Sequence, residues 1–271
     1  MLRRLKWRAL RSLVADYRRE GLDDFWILTR IARDVYPDYK FRWPDWDWLK
    51  QERFWAFVRE LDDERGVNAD RKWMLGQLFR LCIDLPGDTA ECGVLNGASS
   101  VLICEAIARR GRGDKTHHLF DSFEGLSEPG AKDGSHWSRG DLKVSEEDAL
   151  KNLDPWSDFV VSHLGWIPER FHEVEDRRFC YVHVDVDLHQ PTRDSIEFFY
   201  PRLTEGGILV CDDYGSSFCP GATEAFDIFM HDKPEAVIAL PVGGGFIIKG
   251  RRAAEPGPYF ELGVVITASQ T

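Results

Sequence analysis

The chain has 271 residues, enough for one large domain or a domain with an extension. Its 43% hydrophobic and 30% charged content suits a globular protein with a buried core. The net charge of −11 argues against a general nucleic-acid binder, which presents a basic surface. No apolar run reaches the roughly 18 residues of a membrane-spanning helix. The first 19 residues lack the uninterrupted apolar centre and small-residue cleavage site of a secretory signal. Six cysteines (Cys82, Cys92, Cys104, Cys180, Cys211, Cys219) form no CxxC pair, so buried reduced thiols in a cytoplasmic protein are expected and a zinc site is not.

Residues 1–20 predict a basic amphipathic helix, with Leu2, Leu5, Leu10, Leu13, Val14 and Tyr17 at roughly helical spacing. Such a helix packs on its own protein or a second subunit more often than on a membrane. Further helices are expected over 21–82, punctuated at Trp43-Pro44-Asp45. Trp43, Trp46, Trp48 and Trp55 form either a binding wall or, as favoured, the packing of an added helical layer or a dimer contact. Residues 71–83 show an apolar helical face that ends at Leu85-Pro86-Gly87-Asp88.

A short strand is predicted to end near Cys92, followed by a turn at Gly93 and Gly97 and a helix over 98–109. Glycines there let the backbone approach a ligand, and the helix N-terminal amides face it. The turn reads GVLNG rather than GxGxxG and carries no Lys or Arg. With Glu91 beside it, a cationic or hydroxyl-bearing ligand fits better than a pyrophosphate. The next strand ends at Asp121, where a doubly wound sheet commonly places the acid that bonds ribose hydroxyls; a helix N-cap is the alternative, and with the preceding turn the ribose role is favoured. Residues 126–142 are a long, glycine-bearing loop, a candidate lid. Its His136, Trp137 and Arg139 are either substrate contacts or surface residues. A short helix over 144–153 and a third strand over 158–165 follow.

Two apolar runs then end in acids: 179–184 before Asp185 and Asp187, and 207–211 before Asp212 and Asp213, with a helix over 192–203 closed by Gly206-Gly207. As neighbouring parallel strands they deliver both acidic pairs to the sheet edge where open α/β folds bind ligands. Crowded carboxylates repel one another strongly. A divalent cation relieves this, and oxygen-only ligands favour a hard one such as Mg²⁺. Capping of the following helices explains one aspartate per strand but not two. Residues 237–240 and 245–248 predict a hairpin about Gly243-Gly244, and the tail 251–271 carries an unassigned apolar run at 262–266.

The alternation of strand and helix over 89–250 implies a doubly wound parallel sheet. The ordered motifs ECGVLNGASS, FDSFEGL, VDVDLHQPTRDSIEFFYPRL, GGILVCDDYG and GGGFIIK resemble the macrocin O-methyltransferase (TylF/MycF-like) family over about residues 70–250. The resemblance implies an α/β fold: a class I methyltransferase (Rossmann-like) sheet with an N-terminal helical extension. The expected divisions are 1–70, 71–250 and 251–271. It further implies Mg²⁺-dependent methyl transfer from S-adenosylmethionine to a hydroxyl, usually on a natural-product sugar. By position, Glu91, Gly93, Gly97 and Ser99 would border the methionine part of the cofactor, and Asp121 and Ser122 its ribose. Asp185, Asp212 and Asp213 would hold the metal, Asp185 doubling as general base. Asp187 would support the ligands or meet the substrate. His189 departs from the family's usual Tyr and is a second catalytic candidate, weighed against an ordinary polar role. A small-molecule or glycan hydroxyl acceptor and a homo-oligomer are expected. The alternatives are an NAD-dependent sugar oxidoreductase, disfavoured by the missing GxGxxG, and a non-catalytic nucleotide- or partner-binding module.

Overall fold

The computed structural model describes residues 12, 14–16, 19, 47–62 and 68–252. Seven strands order the molecule: β1 (Asp88–Cys92), β2 (His117–Asp121), β3 (Val160–Leu164), β4 (Phe179–Val184), β5 (Leu203–Cys211), β6 (Ile238–Ala239) and β7 (Gly245–Ile248). They form one mixed α/β sheet in the order β3-β2-β1-β4-β5-β7-β6. The first five run parallel, and β7 returns antiparallel beside β5. β4 is buried along its whole length, as expected of a central parallel strand covered on both faces. The winding reverses between β1 and β4, which creates a crevice at their carboxyl ends.

Six α-helices are described: α1 (Glu52–Phe57), α2 (Ala69–Phe79), α3 (Ala98–Arg110), α4 (Glu146–Lys151), α5 (His189–Phe199) and α6 (Pro220–Met230). Leu75, Leu78 and Phe79 of α2 pack with Ile103 and Ile107 of α3 against Tyr181, Ile208 and Val210 of the sheet. On the other core cluster, Ile196 and Phe199 of α5 and Phe226 of α6 pack with Val182, Val184 and Leu209. Burying each such side chain contributes about 1.5–3 kcal/mol, and together these layers hold the strand tips in fixed register. All six cysteines are buried and free.

The chain divides into two compact units, Met1–Trp55 and Ala56–Thr271. Within the first, Trp48 stacks on Trp55 at 6.0 Å and Phe54 meets both rings edge-on, so these aromatics pack on one another. Trp43 and Trp46 lie outside the described residues. Of the basic stretch 1–20, Ser12, Val14, Ala15, Asp16 and Arg19 are described, and they are helical. The tail beyond Arg252 also lies outside them.

Two boundaries differ from those expected. α5 starts at His189 rather than Thr192, because the Asp133 carboxylate, from the distant 126–142 loop, accepts a hydrogen bond from the His189 N–H at 2.6 Å. Pro191 sits in the first turn, where its missing N–H costs nothing. The Gly206-Gly207 pair does not end a helix. A short 3₁₀ turn, Tyr200–Arg202, ends it, and β5 already runs from Leu203. The glycines lie in β5 next to a register shift against β4. A Cβ at Gly207 would come within 2.8 Å of the Thr204 carbonyl oxygen.

A candidate active site at the carboxyl ends of the strands

Backbone bonds align the strand tips. The Asp185 N–H donates to the Cys92 carbonyl at 2.8 Å, and the Asp212 N–H to the Val184 carbonyl at 2.9 Å. Asp185 and Asp187 therefore leave β4 beside the turn after β1, and Asp212 and Asp213 leave β5 beside them. A cavity of about 430 Å³ opens here, within the range of small-molecule sites. Its walls include Gly93, Ser99, Asp121 and Ser122, the acids Asp185, Asp187 and Asp213, and the rings of Trp137 and Trp166.

The glycine turn fits tightly. Gly93 has φ 81° and a Cβ there would collide with the Asp185 carbonyl oxygen, so this position needs glycine. Gly97 has φ 80° and precedes α3. Asp121 braces the turn: its Oδ2 accepts from the N–H groups of Val94 (2.7 Å) and Leu95 (3.4 Å), and its Oδ1 from Phe123 (2.7 Å). Ser122 Oγ accepts from the Glu124 N–H at 3.1 Å. Ser99 Oγ receives Lys72 Nζ at 2.8 Å.

The acids form two adjoining groups. Among the described residues, the donor atoms of His183, Asp185 and Asp212 lie within 4.8 Å of one another, as do those of Asp187, Asp213 and Cys219. The metal set read from the sequence is thus divided, Asp213 siding with Asp187. Arg71 Nη1 meets Asp212 Oδ2 at 2.6 Å. His183 Nδ1 donates to Glu91 Oε1 at 2.9 Å, and its Nε2 faces Asp212 Oδ1 at 3.5 Å, an ion-pair contact without an aligned hydrogen bond. Burial disfavours the Asp212 charge, but His183 and Arg71 outweigh it and hold the carboxyl well below its ordinary range. Burial likewise opposes charge on His183, and its two carboxylate neighbours overcome this, raising it to about 10.

The other three acids lack such partners. Burial and then Asp212 push Asp185 up to about 6. Burial and then Asp185 push Asp187 up to about 7. Asp213 is raised well above the usual range by burial and by Asp185 and Asp187. Like charges in a low-dielectric pocket account for all three. The Asp187 N–H donates to Asp213 Oδ2 at 2.8 Å, and Asp187 sits at φ 58°, a left-handed conformation that Asp tolerates better than most residues. Asp185 and Asp212 bring two carboxylates together beside His183, with the Asp213 carboxylate in the adjoining group. A divalent ion there would offset the burial and relieve the repulsion that raise Asp185 and Asp213, so the residues fit such an ion.

Two expected site residues have other surroundings. Glu91 reaches the cavity wall, yet its carboxylate is only 1% exposed and is taken up by His183 and Ser100. His189 is absent from the cavity lining; its Nε2 lies 3.2 Å from Lys132 Nζ, and Lys132 pairs with Glu224 at 2.6 Å. His136 packs on Trp137 and Phe218 with ring centroids at 4.6 and 4.4 Å. The sequence reading missed Asn68, Arg71 and Lys72, which bring one polar stripe of α2 to the cavity. Their spacing at i, i+3 and i+4, one turn ahead of Leu75, was the available signal.

The family model described as Macrocin-O-methyltransferase (TylF) matches residues 81–236. The 8-demethyl-8-(2,3-dimethoxy-alpha-L-rhamnosyl)-tetracenomycin-C 4'-O-methyltransferase of Streptomyces olivaceus is 30% identical over 152 residues, 52% of this chain and 58% of that protein. The demethyldecarbamoylnovobiocin O-methyltransferase of Streptomyces niveus is 29% identical over 190 residues, 60% of this chain and 72% of that protein. Among solved structures, the O-methyltransferase NovP matches with TM-score 0.58 and 24% identity over 68% of this chain and 81% of its own. The calicheamicin methyltransferase CalS11 matches with TM-score 0.63 and 20% identity over 82% and 91%. At these identities the structural likeness speaks for the fold, a class I O-methyltransferase architecture.

Proposed function

From the premise that the chain belongs to the macrocin-O-methyltransferase (TylF) family, we propose that it is an S-adenosylmethionine-dependent O-methyltransferase acting on a hydroxyl of a sugar carried by a natural product. The carrying observation is the meeting, in one cavity, of the Gly93–Gly97 turn with the acids at the tips of β4 and β5. The names of the tetracenomycin and novobiocin relatives support the acceptor class.

When bound, S-adenosylmethionine would supply the methyl group and a divalent cation such as Mg²⁺ would acidify the acceptor hydroxyl. Gly93 and Gly97 let the turn pack against the Asp185 and Ala149 carbonyls, and Asp121 fixes that turn, which borders the cavity. Asp185 and Asp212, with Asp213 alongside, would hold the cation. A carboxylate committed to a cation is a weak base, so we assign the proton of the acceptor hydroxyl to Asp187. That carboxyl lines the cavity, and without the cation burial and Asp185 raise it to about 7; a cation beside it would lower that value and keep the carboxylate ionised to accept a proton. Trp137 and Trp166 offer flat apolar walls to the acceptor and limit water. The balance is one methyl group moved to oxygen, one proton taken by the chain, and a neutral thioether released. Among the described residues, no helix is long and apolar enough to cross a membrane; action in the cytoplasm and as a homo-oligomer belong to the proposal.

The test is calorimetry with S-adenosylhomocysteine, followed by turnover on rhamnosylated aglycones and on demethyldecarbamoylnovobiocin read by mass spectrometry, with and without EDTA. Binding of the thioether product and a methylated sugar support the assignment. A chain that binds no S-adenosylhomocysteine refutes it.

A further inference from the structure

A polar chain runs through the core beneath the acids, and the chemistry above gives it no task. It begins at Thr89 in β1, whose Oγ1 lies 2.8 Å from His117 Nδ1. His117 Nε2 lies 2.8 Å from Ser100 Oγ in α3, and Ser100 donates to Glu91 Oε2. His183 Nδ1 reaches the other oxygen, Oε1, at 2.9 Å. Glu91 is 1% exposed, and Thr89, Ser100, His117 and His183 are fully buried.

A proton inventory fixes the direction of each bond. Ser100 spends its one proton on Glu91, so it accepts from His117, whose proton sits on Nε2. The bare His117 Nδ1 then accepts from Thr89. His183 donates from Nδ1. Every proton points toward Glu91, which accepts on both oxygens and is 1% exposed, so its carboxylate is committed within the core. The ring of His183, locked by Glu91, presents Nε2 to Asp212 Oδ1. Arg71 grips the other oxygen, Oδ2. Asp212 is therefore faced by positive charge from two sides, an ion pair with Arg71 at 2.6 Å and a contact with His183 at 3.5 Å.

We infer that Glu91 and His183 are positioning residues that orient Asp212 for the divalent cation, and that Glu91 does not bind the cofactor. This rests on the cation reading given above. Hydrogen-bond partners that orient metal ligands typically change metal affinity 10–100-fold when removed.

The experiment uses the full chain and two separate titrations: Mn²⁺ by electron paramagnetic resonance, and S-adenosylhomocysteine by calorimetry without metal. Glu91→Gln keeps the shape and removes the charge. It should weaken Mn²⁺ by about tenfold and leave S-adenosylhomocysteine unchanged. His183→Gln, which keeps a polar N–H donor where the ring stood, should bind Mn²⁺ better than His183→Leu. A Glu91→Gln chain with wild-type Mn²⁺ affinity overturns the inference. So does one that loses S-adenosylhomocysteine while keeping Mn²⁺. If Glu91→Gln does not fold, Ser100→Ala removes a single bond to Glu91 and must weaken Mn²⁺ alone; equal Mn²⁺ affinity overturns the inference. A wild-type chain that binds no Mn²⁺ removes the cation reading and this inference together, a result distinct from equal binding by wild type and variant.

Discussion

Replacing Asp187 with Asn tests whether the acids are held together against their mutual repulsion. The carboxyl rises from an ordinary 3.8 to about 7, first through burial and then through Asp185. An acid raised in the folded state leaves stability intact below its unfolded value, and stability falls as pH climbs toward the folded value. Between pH 5 and pH 8 the wild type therefore loses about 2.5 kcal/mol that D187N keeps, because the slope of ~1.4 kcal/mol per pH unit fades as the folded group itself ionises at about 7. Relaxation of the turn after β4 on ionisation returns part of this, leaving about 2 kcal/mol, or roughly 4–8 °C for a domain of this size. The assay is thermal unfolding in EDTA at pH 5 and at pH 8. The D187N midpoint should gain on wild type between the two, while its turnover falls by about 10²–10⁴-fold. Midpoints that move in parallel with pH would refute the electrostatic argument, and normal turnover would remove Asp187 as base.

Divalent binding should release protons, because Asp185 at about 6 and Asp187 at about 7 are partly protonated near neutrality; calorimetry in buffers of different ionisation enthalpy reads the number, and zero release contradicts the raised carboxyls. With saturating Mg²⁺ the fall in wild-type stability from pH 5 to pH 8 should flatten, and an unchanged slope in the melting curves would disprove the link. Gly93→Ala puts a Cβ against the Asp185 carbonyl oxygen at a left-handed φ of 81°; urea unfolding should show a loss of about 1–3 kcal/mol, and an unshifted midpoint would mean the turn is slack. Asp121→Asn removes a charged acceptor from three backbone N–H groups, and calorimetry should find S-adenosylhomocysteine weakened about tenfold, ~1.4 kcal/mol; full affinity in a folded variant would deny the turn its role.

Local signals carried the sheet. Apolar runs ending in Asp121, Asp185 and Asp212 became β2, β4 and β5, because a central parallel strand buries both faces and stops where polar side chains meet solvent or ligand. The hairpin at Gly243-Gly244 was equally readable, since both glycines adopt positive φ. Long-range matters were hidden. Nothing local shows that Arg71 would reach Asp212, 141 residues away, or that Asp133 would begin a helix 56 residues later. Glu91 looked like a ligand of the crevice because strand alternation gives its side but not its partners. Its capture by His183 and Ser100 follows from the register of β1 against β4 and from the packing of α3. His189 stood next to the acids in the chain, yet the first turn of α5 carries its ring toward Lys132.

The Asp133 carboxylate has one oxygen on the Gly130 N–H and the other on the His189 N–H. It rivets a surface loop to the start of the helix that follows Asp187 by two residues. That loop also supplies Trp137, whose indole N–H reaches Cys219 Sγ at 3.3 Å, and Cys219 in turn touches Asp187 Oδ1 at 3.4 Å. The loop and the Asp187 carboxylate are thereby mechanically linked. Under the proposed function, a displacement of the loop would also move the carboxylate assigned to take the proton, so acceptor fit would register in turnover as well as in affinity.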